Sequence, residues 1–420
     1  MKKSAWIKIL GSFCVLMLIS FFLGNPRIAG AQDKDALRIG ILLPLTGPSA
    51  VTGEHSRRGA TLAAEEINAA GGILGRKIEL VFGDDESNPA VGVAAAERLI
   101  TKDKVEILAG TYNSSVCLAV MDVPAKYGIP YISGGATSDQ IGLKRASDQK
   151  KFRAYYKPVS PSYVYGQMWT WFWEYMIKEN QYKPENKNIA IVNENSAWGN
   201  AITDAIRKYL AESELTKQGF KIALADQVPL AETDFLAEIS KIKASKPGIV
   251  FGIFAAVPTN SSFQKQFVNA GIKVPACSCY TPDNPEFIKV TGPAANGLIW
   301  NSAINLLPTK EGKHYREVIQ KRFQKDVEVV GSIVYDLIYM IREAYQRAGS
   351  FEKEKFLNEM DKTKYVGAAG VYMFDPRTHE ALAGEDYIVP LAYQIQDGKN
   401  KIIWPKKFAD ATYTLPSWMK

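Results

Sequence analysis

Short apolar runs alternate with amphipathic stretches along most of the chain. Leu37–Leu43 (LRIGILL) is short and β-rich and is bounded by Pro44 and Gly47, which predicts a buried strand. In Gly59–Ala70, Ala60, Ala63, Ala64 and Ile67 recur at helical spacing, and Gly71-Gly72 stops the run. The same reading gives strands at Lys77–Phe82, Val105–Ala109 and Ile129–Ser133, with helices at Ala90–Ile100 and Ser115–Tyr127 between them. An extended crossing, Phe152–Lys157, follows. The rhythm then restarts with strands at Asn188–Val192, Phe220–Ala225 and Gly248–Phe254. Helices at Ser162–Lys178, Gly199–Ala211, Thr233–Ala244 and Ser261–Ala270 alternate with them. Two more helices, His314–Gln324 and Ser332–Arg347, precede a β-rich tail from Gly370 to Trp404. Strand–helix alternation argues an α/β fold with parallel sheets covered on both faces. Two such units make two doubly wound lobes facing a cleft. Ligands of open α/β sheets bind beyond the carboxyl ends of the strands. The loops after Leu43, Phe82, Ala109, Ser133, Val192 and Phe254 are therefore the places to search.

The first 31 residues break this pattern. Lys2, Lys3 and Lys8 are followed by an apolar stretch from Ile9 to Leu23, then by Ala29-Gly30-Ala31. That order is expected of a secretory signal peptide over residues 1–31, with a mature start at Gln32 and an exported product. The apolar run of about 15 residues is short of the roughly 20 that span a membrane. Cys14 follows the bulky Phe13, a poor setting for lipidation.

Composition narrows the class further. A 420-residue chain has room for two domains at roughly 100–200 residues each. Four basic residues, Lys2, Lys3, Lys8 and Arg27, sit in the leader without an acidic partner. The mature chain is therefore less basic than the formal charge of +7 implies. No basic block with interleaved aromatics is visible, so nucleic acid is not an expected partner. Past the leader the cysteines are Cys117, Cys277 and Cys279, which read as buried free thiols. His55, His314 and His379 lack metal-ligand spacing, and no metal or cofactor is expected. Adjacent Asp84 and Asp85 point to opposite sides of a strand and read as structural. Ser147/Lys150 and Ser240/Lys243 match a serine–lysine nucleophile only by spacing. No convincing nucleophile–base pair appears, so an enzyme is not expected.

The segment Ile39–Ile100 resembles the periplasmic leucine/isoleucine/valine-binding protein family. The motifs that carry the likeness are the P-L-T-G turn at Pro44–Gly47, the IN-x-x-GG-x-x-G run at Ile67–Gly75, and Asp84-Asp85. Weaker motifs continue through Ala190-Ile191-Val192, Phe235 and Tyr335. The resemblance implies a type I binding-protein fold with three hinge crossings, near Lys157, Ile304 and Thr378. The N-terminal lobe would comprise 36–157 and 304–378, and the C-terminal lobe 158–303 and 379–420. It also implies a receptor of an ABC importer, acting as a monomer with a membrane permease and closing over a small-molecule ligand. A sensory subunit of the same fold and a binder of neutral amides are the alternatives.

By position, the family's carboxylate-holding loops correspond to Ser114 and Ser115 and to Gly135, Ala136 and Thr137. Both loops follow strands, and their hydroxyls and free amides suit an anion. Thr52 is expected on the first-lobe wall, with Trp198, Phe254 and Tyr280 as aromatic contacts. Tyr280 falls where the family's amino-acid binders place a glutamate for the ammonium group. Asp283 and Glu286 are near in sequence but out of frame. A phenol cannot act as a counter-ion at neutral pH, which argues for an acid without an amine. Small carboxylates, aromatic or short aliphatic, therefore rank ahead of branched-chain amino acids.

Overall fold

The computed structural model describes residues 36–420, so the expected leader over 1–31 lies outside the described residues. Two open sheets carry the fold. The first holds β1 (Leu37–Leu43), β2 (Ile78–Asp84), β3 (Ile107–Gly110), β4 (Tyr131–Ser133) and β5 (Tyr155–Tyr156). Its spatial order is β2-β1-β3-β4-β5, parallel throughout. The second holds β6 (Asn188–Glu194), β7 (Lys221–Val228), β8 (Pro247–Ile253), β9 (Ala276–Cys279) and β10 (Ile299–Ser302). A short antiparallel pair, β11 (Tyr365–Gly367) and β12 (Gly370–Tyr372), stands apart. The tail strands β13 (Leu391–Gln396) and β14 (Lys399–Trp404) then join the second sheet, in the order β14-β13-β10-β9-β8-β6-β7. They pair antiparallel, β13 against β10 and β14 against β13.

Burial explains the apolar strands. Helices cover both faces, so every residue of β8 is buried and only Arg38 in β1 is partly exposed. Strand β7 is an edge and alternates exposed with part-buried positions. Its sequence KIALADQV shows the matching alternation.

The structure departs from the sequence reading at several ends. The first helix is Ala50–Ala69, nine residues longer at its start than the alanine spacing indicated. Thr52, Gly53, His55 and Ser56 are buried there despite their polarity, so hydropathy hid that turn. Gly53 lies against the Pro44 carbonyl, and further along, the helix Val329–Ala348 approaches so closely that a Cβ on Gly59 would lie 2.0 Å from the Gly331 carbonyl. The stretch Ser115–Tyr127 is two short helices, Ser114–Val120 and Asp122–Tyr127. Strand β9 matches the extended stretch read at Cys277–Cys279, while strand β10 was not read from the sequence. Both are four-residue runs, too short to show a period.

Two of the expected crossings lie side by side. The Lys157 amide donates to His379 O at 2.8 Å, and Ala381 N donates to Lys157 O at 2.8 Å. The fully buried Lys157 ammonium pairs with Glu380 at 2.5 Å. It also donates to the carbonyls of Thr137 and Ser138, at 3.2 and 3.4 Å. Segments far apart in sequence are thus tied directly beneath one of the predicted ligand loops.

Candidate ligand-binding site

The strand-end loops of both sheets line a common small cavity of about 40 Å³. On the five-stranded side, the chain leaves β3 through Gly110 and Thr111, both at positive φ. Thr111 is held there by hydrogen bonds to Gly110 O at 2.6 Å and Tyr131 OH at 2.7 Å. The turn delivers Asn113, Ser114 and Ser115 to the cavity wall. Ser114 Oγ accepts from Ser138 N at 3.1 Å, so its own proton is left to donate. The Gly135 amide is committed to Thr111 O at 3.0 Å. The amides of Ala136 and Thr137, both buried, make no hydrogen bond among the described residues. Buried N–H groups without acceptors are costly, so this loop is set to receive an acceptor.

On the seven-stranded side, β6 ends in Glu194. Its Oε1 accepts from Ser196 Oγ at 2.7 Å and its Oε2 from Ala255 N at 2.8 Å. Ser196 also accepts from Gly199 N at 3.0 Å, capping the helix Ala197–Ala211 that carries Trp198. Burial pushes the Glu194 carboxyl up to about 7, against the lowering effect of both hydrogen bonds. Tyr280 follows β9 at positive φ and closes another wall.

Several contacts join the two sides. Ala197 N donates to Ser115 Oγ at 3.0 Å, and Tyr112 OH donates to Ala255 O at 3.4 Å. The Tyr112 and Tyr280 rings stand 6.0 Å apart. Behind Tyr280, its hydroxyl donates to Glu328, which also accepts from Thr52 at 3.1 Å and Asn284 at 2.9 Å. Burial pushes Glu328 up to about 8. Asp283 accepts from Val329 N at 2.7 Å and is pushed up to about 6, again by burial.

Six of the residues predicted from sequence line the cavity: Ser114, Ser115, Gly135, Thr137, Trp198 and Tyr280. Three side chains do not. Thr52 is turned to Glu328, because that buried carboxylate needs donors. The Ala136 side chain packs in the apolar cluster beneath the loop, between the wall residues Gly135 and Thr137. Phe254 is core, its ring 5.1 Å from both Phe235 and Phe263, because the chain turns only after it. Neither out-of-frame carboxylate near Tyr280 reaches the cavity wall. Asp283 is engaged as described, and Glu286 pairs with Lys289 at 2.9 Å. Sequence reasoning missed Tyr112, Asn113, Tyr165, Glu194 and Ser196. For Glu194 the signal was present: a carboxylate directly after an apolar strand, in a loop already marked for search.

The remaining sequence readings find simple places. Cys117, Cys277 and Cys279 are buried free thiols. Asp84 accepts from Thr46 and Leu45 and fastens the turn after β1. Ser147 and Ser240 donate to carbonyls of their own helices.

A family model for periplasmic binding proteins matches residues 36–391. The chain belongs to the periplasmic binding protein family. It is 27% identical over 380 residues to a Leu/Ile/Val-binding protein homolog of Brucella melitensis, covering 89% of this chain and 95% of that one. Among solved structures it resembles the branched-chain amino acid transporter substrate-binding protein of Streptococcus pneumoniae, in complex with isoleucine. The TM-score is 0.75 at 20% identity, over 88% of this chain and 100% of that one. A solute-binding protein of an ABC transporter from R. palustris, in complex with benzoate, gives a TM-score of 0.74 at 20% identity. It spans 88% of this chain and 95% of that one. The architecture of this family member is thus the type I binding-protein fold, and its relatives serve ABC transporters of the Leu/Ile/Val-binding type.

Proposed function

We propose that this binding protein is the exported receptor of an ABC importer and captures a small organic molecule bearing a carboxylate. The observation that carries the reading is the pair of unpartnered amides at Ala136 and Thr137 beside the Ser114 hydroxyl. These are donors only, fixed before a ligand arrives, and an ionised carboxylate is an acceptor only. Trp198, Tyr112, Tyr165 and Tyr280 give the cavity an aromatic lining for the rest of the molecule. Relatives of this fold solved with isoleucine and with benzoate both carry a carboxylate in their ligand.

Residues 36–157 with 304–378 form one lobe in this reading, and 158–303 with 379–420 the other. The ligand binds the five-stranded lobe first, and contacts such as Ser115 to Ala197 complete the closed state. A membrane permease then takes the load. No helix among the described residues is long and apolar enough to cross a membrane, which fits a receptor released by cleavage after Ala31. A sensory subunit would use the same closure with a different partner.

A thermal-shift screen over aromatic acids, short aliphatic acids, branched-chain amino acids and neutral amides tests the proposal. A carboxylate at about 100 times its Kd should stabilise the protein by about 2.7 kcal/mol. Stabilisation by neutral amides alone would overturn it.

A further inference from the structure

We infer that Lys157 is a positioning residue for the ligand carboxylate. Without reaching the cavity, its buried ammonium group acts through the Thr137–Ser138 peptide on the Ser114 hydroxyl. This deepens the carboxylate reading above and rests on it.

Three hydrogen bonds make the relay. Lys157 is fully buried, and its Nζ donates to Thr137 O at 3.2 Å and to Ser138 O at 3.4 Å. Thr137 O and the Ser138 N–H are the two ends of one peptide group. That N–H donates to Ser114 Oγ at 3.1 Å. Ser114 stands on the cavity wall with its own proton left to donate. Every bond in the series thus points the same way, from the ammonium toward the ligand. A cation on the carbonyl end makes the N–H end a stronger donor, and an oxygen that accepts a stronger bond gives its own proton more readily. Hydrogen bonds in a chain polarise one another in this manner.

Charge accounting shows what the relay supplies. No Lys, Arg or His lines the cavity, and the one carboxylate there, Glu194, has the same sign as the proposed ligand. Burying an anion against neutral donors alone leaves much of its desolvation cost uncompensated. Lys157 is a cation kept behind the wall, with its influence directed at one hydroxyl of that wall.

The ammonium is held by protein on every side. It pairs with Glu380 at 2.5 Å, and the backbone of Lys157 is tied to His379 O and Ala381 N. A buried ion pair returns little net stability against its desolvation cost, so holding the fold together is a poor account of this one. The other charges on the adjoining helix Asp139–Ser147 are engaged elsewhere. Asp139 accepts from Tyr163 N at 3.0 Å, and Arg145 donates to Arg377 O at 2.6 Å and meets His379 Nε2 at 2.7 Å. Neither lines the cavity.

Calorimetry on the mature protein at pH 6, with benzoate, butanoate and isoleucine as probes, tests the relay. Lys157→Met combined with Glu380→Gln removes both charges of the pair and leaves neither buried alone. It should weaken each probe that the wild type binds by about tenfold, the difference between a charge-assisted and a neutral hydrogen bond. In a Ser114→Ala background the relay has no end, and the same two substitutions should cost less than about threefold. Glu380→Gln alone keeps the ammonium and removes its counter-charge, which should tighten the probes by about threefold. Equal losses in both backgrounds would make Lys157 a prop for the loop and overturn the inference, with the carboxylate reading intact. Looser binding by Glu380→Gln would overturn it as well, and that variant decides the matter should the double substitution fail to fold. Binding of benzamide in place of all three acids would remove the carboxylate reading and the inference together.

Discussion

The Tyr280 hydroxyl donates to Glu328, a buried carboxylate at the start of the helix Val329–Ala348. Tyr280 leaves the seven-stranded sheet, whereas that helix packs beside Gly134 and Gly135 of the five-stranded side. The contact therefore latches one side to the other, and Asn284 reinforces it at 2.9 Å. Tyr280→Phe keeps the ring in the cavity wall and removes the latch. A neutral hydrogen bond contributes about 1 kcal/mol, so affinity should fall by about fivefold for every ligand alike. Titration calorimetry across two ligands checks the uniformity. A change confined to one ligand would mean that Tyr280 reads the ligand directly.

In the proposed function, the Ser114 hydroxyl donates to the ligand carboxylate. A hydrogen bond to a charged group contributes about 1.5–3 kcal/mol. Ser114→Ala should then weaken binding by roughly 10- to 150-fold at about 1.4 kcal/mol per factor of ten. Affinity unchanged within threefold, measured by calorimetry, would remove Ser114 from the site.

Closure should be visible in solution. Small-angle scattering of the mature protein with and without a saturating ligand should show a smaller radius of gyration when loaded. In the proposed cycle the free protein opens for the ligand to enter, which parts Ser115 from Ala197 and Tyr112 from Ala255. An unchanged radius would count against hinge closure.

Stability of the ligand-free protein should fall between pH 6.5 and 8. Burial raises Glu328 to about 8 and Glu194, Asp85 and Asp336 to about 7. Each keeps its proton in the folded state after the unfolded chain has lost it, so each costs stability progressively from about pH 4 upward, and the decline ends once pH passes those values. Buried His55 and His379, lowered to about 4, act in the opposite direction, but only below their ordinary value of 6.5. Thermal melts at several pH values test the window. Glu328→Gln should remove the part of the decline that reaches pH 8.

Phe254 and Trp198 should separate core from contact. Phe254 is fully buried among Phe235 and Phe263, and Phe254→Ala should cost about 3–5 kcal/mol in urea unfolding. Trp198 lines the cavity, so Trp198→Ala should act chiefly on affinity. The reverse pattern would return Phe254 to the site.

Element order, the parallel sheets and the donor loops at Ser114 and Thr137 were legible in the sequence. They depend on local information: apolar runs, helical spacing, and glycines or hydroxyls at strand ends. The polar first turn of the helix Ala50–Ala69 was not legible, because its burial comes from a helix some 270 residues away whose start supplies an acceptor, Glu328, and close backbone contact. Strand β10 was hidden, a four-residue run too short to show a period.

What the tertiary structure alone decided is the character of the cavity. Through its family resemblance, the sequence put Tyr280 where amino-acid binders carry a glutamate, and from that absence it pointed to a ligand without an amine. Folding sets Tyr280 against Glu328 and brings Glu194, from a strand some 85 residues earlier, onto the cavity wall. Charge in an enclosed site is a sum over everything that lines it, and electrostatic energy in a poorly screened interior depends on separation in space. Position along the chain carries no such sum, so the sign of the site emerges only when the two sheets face each other.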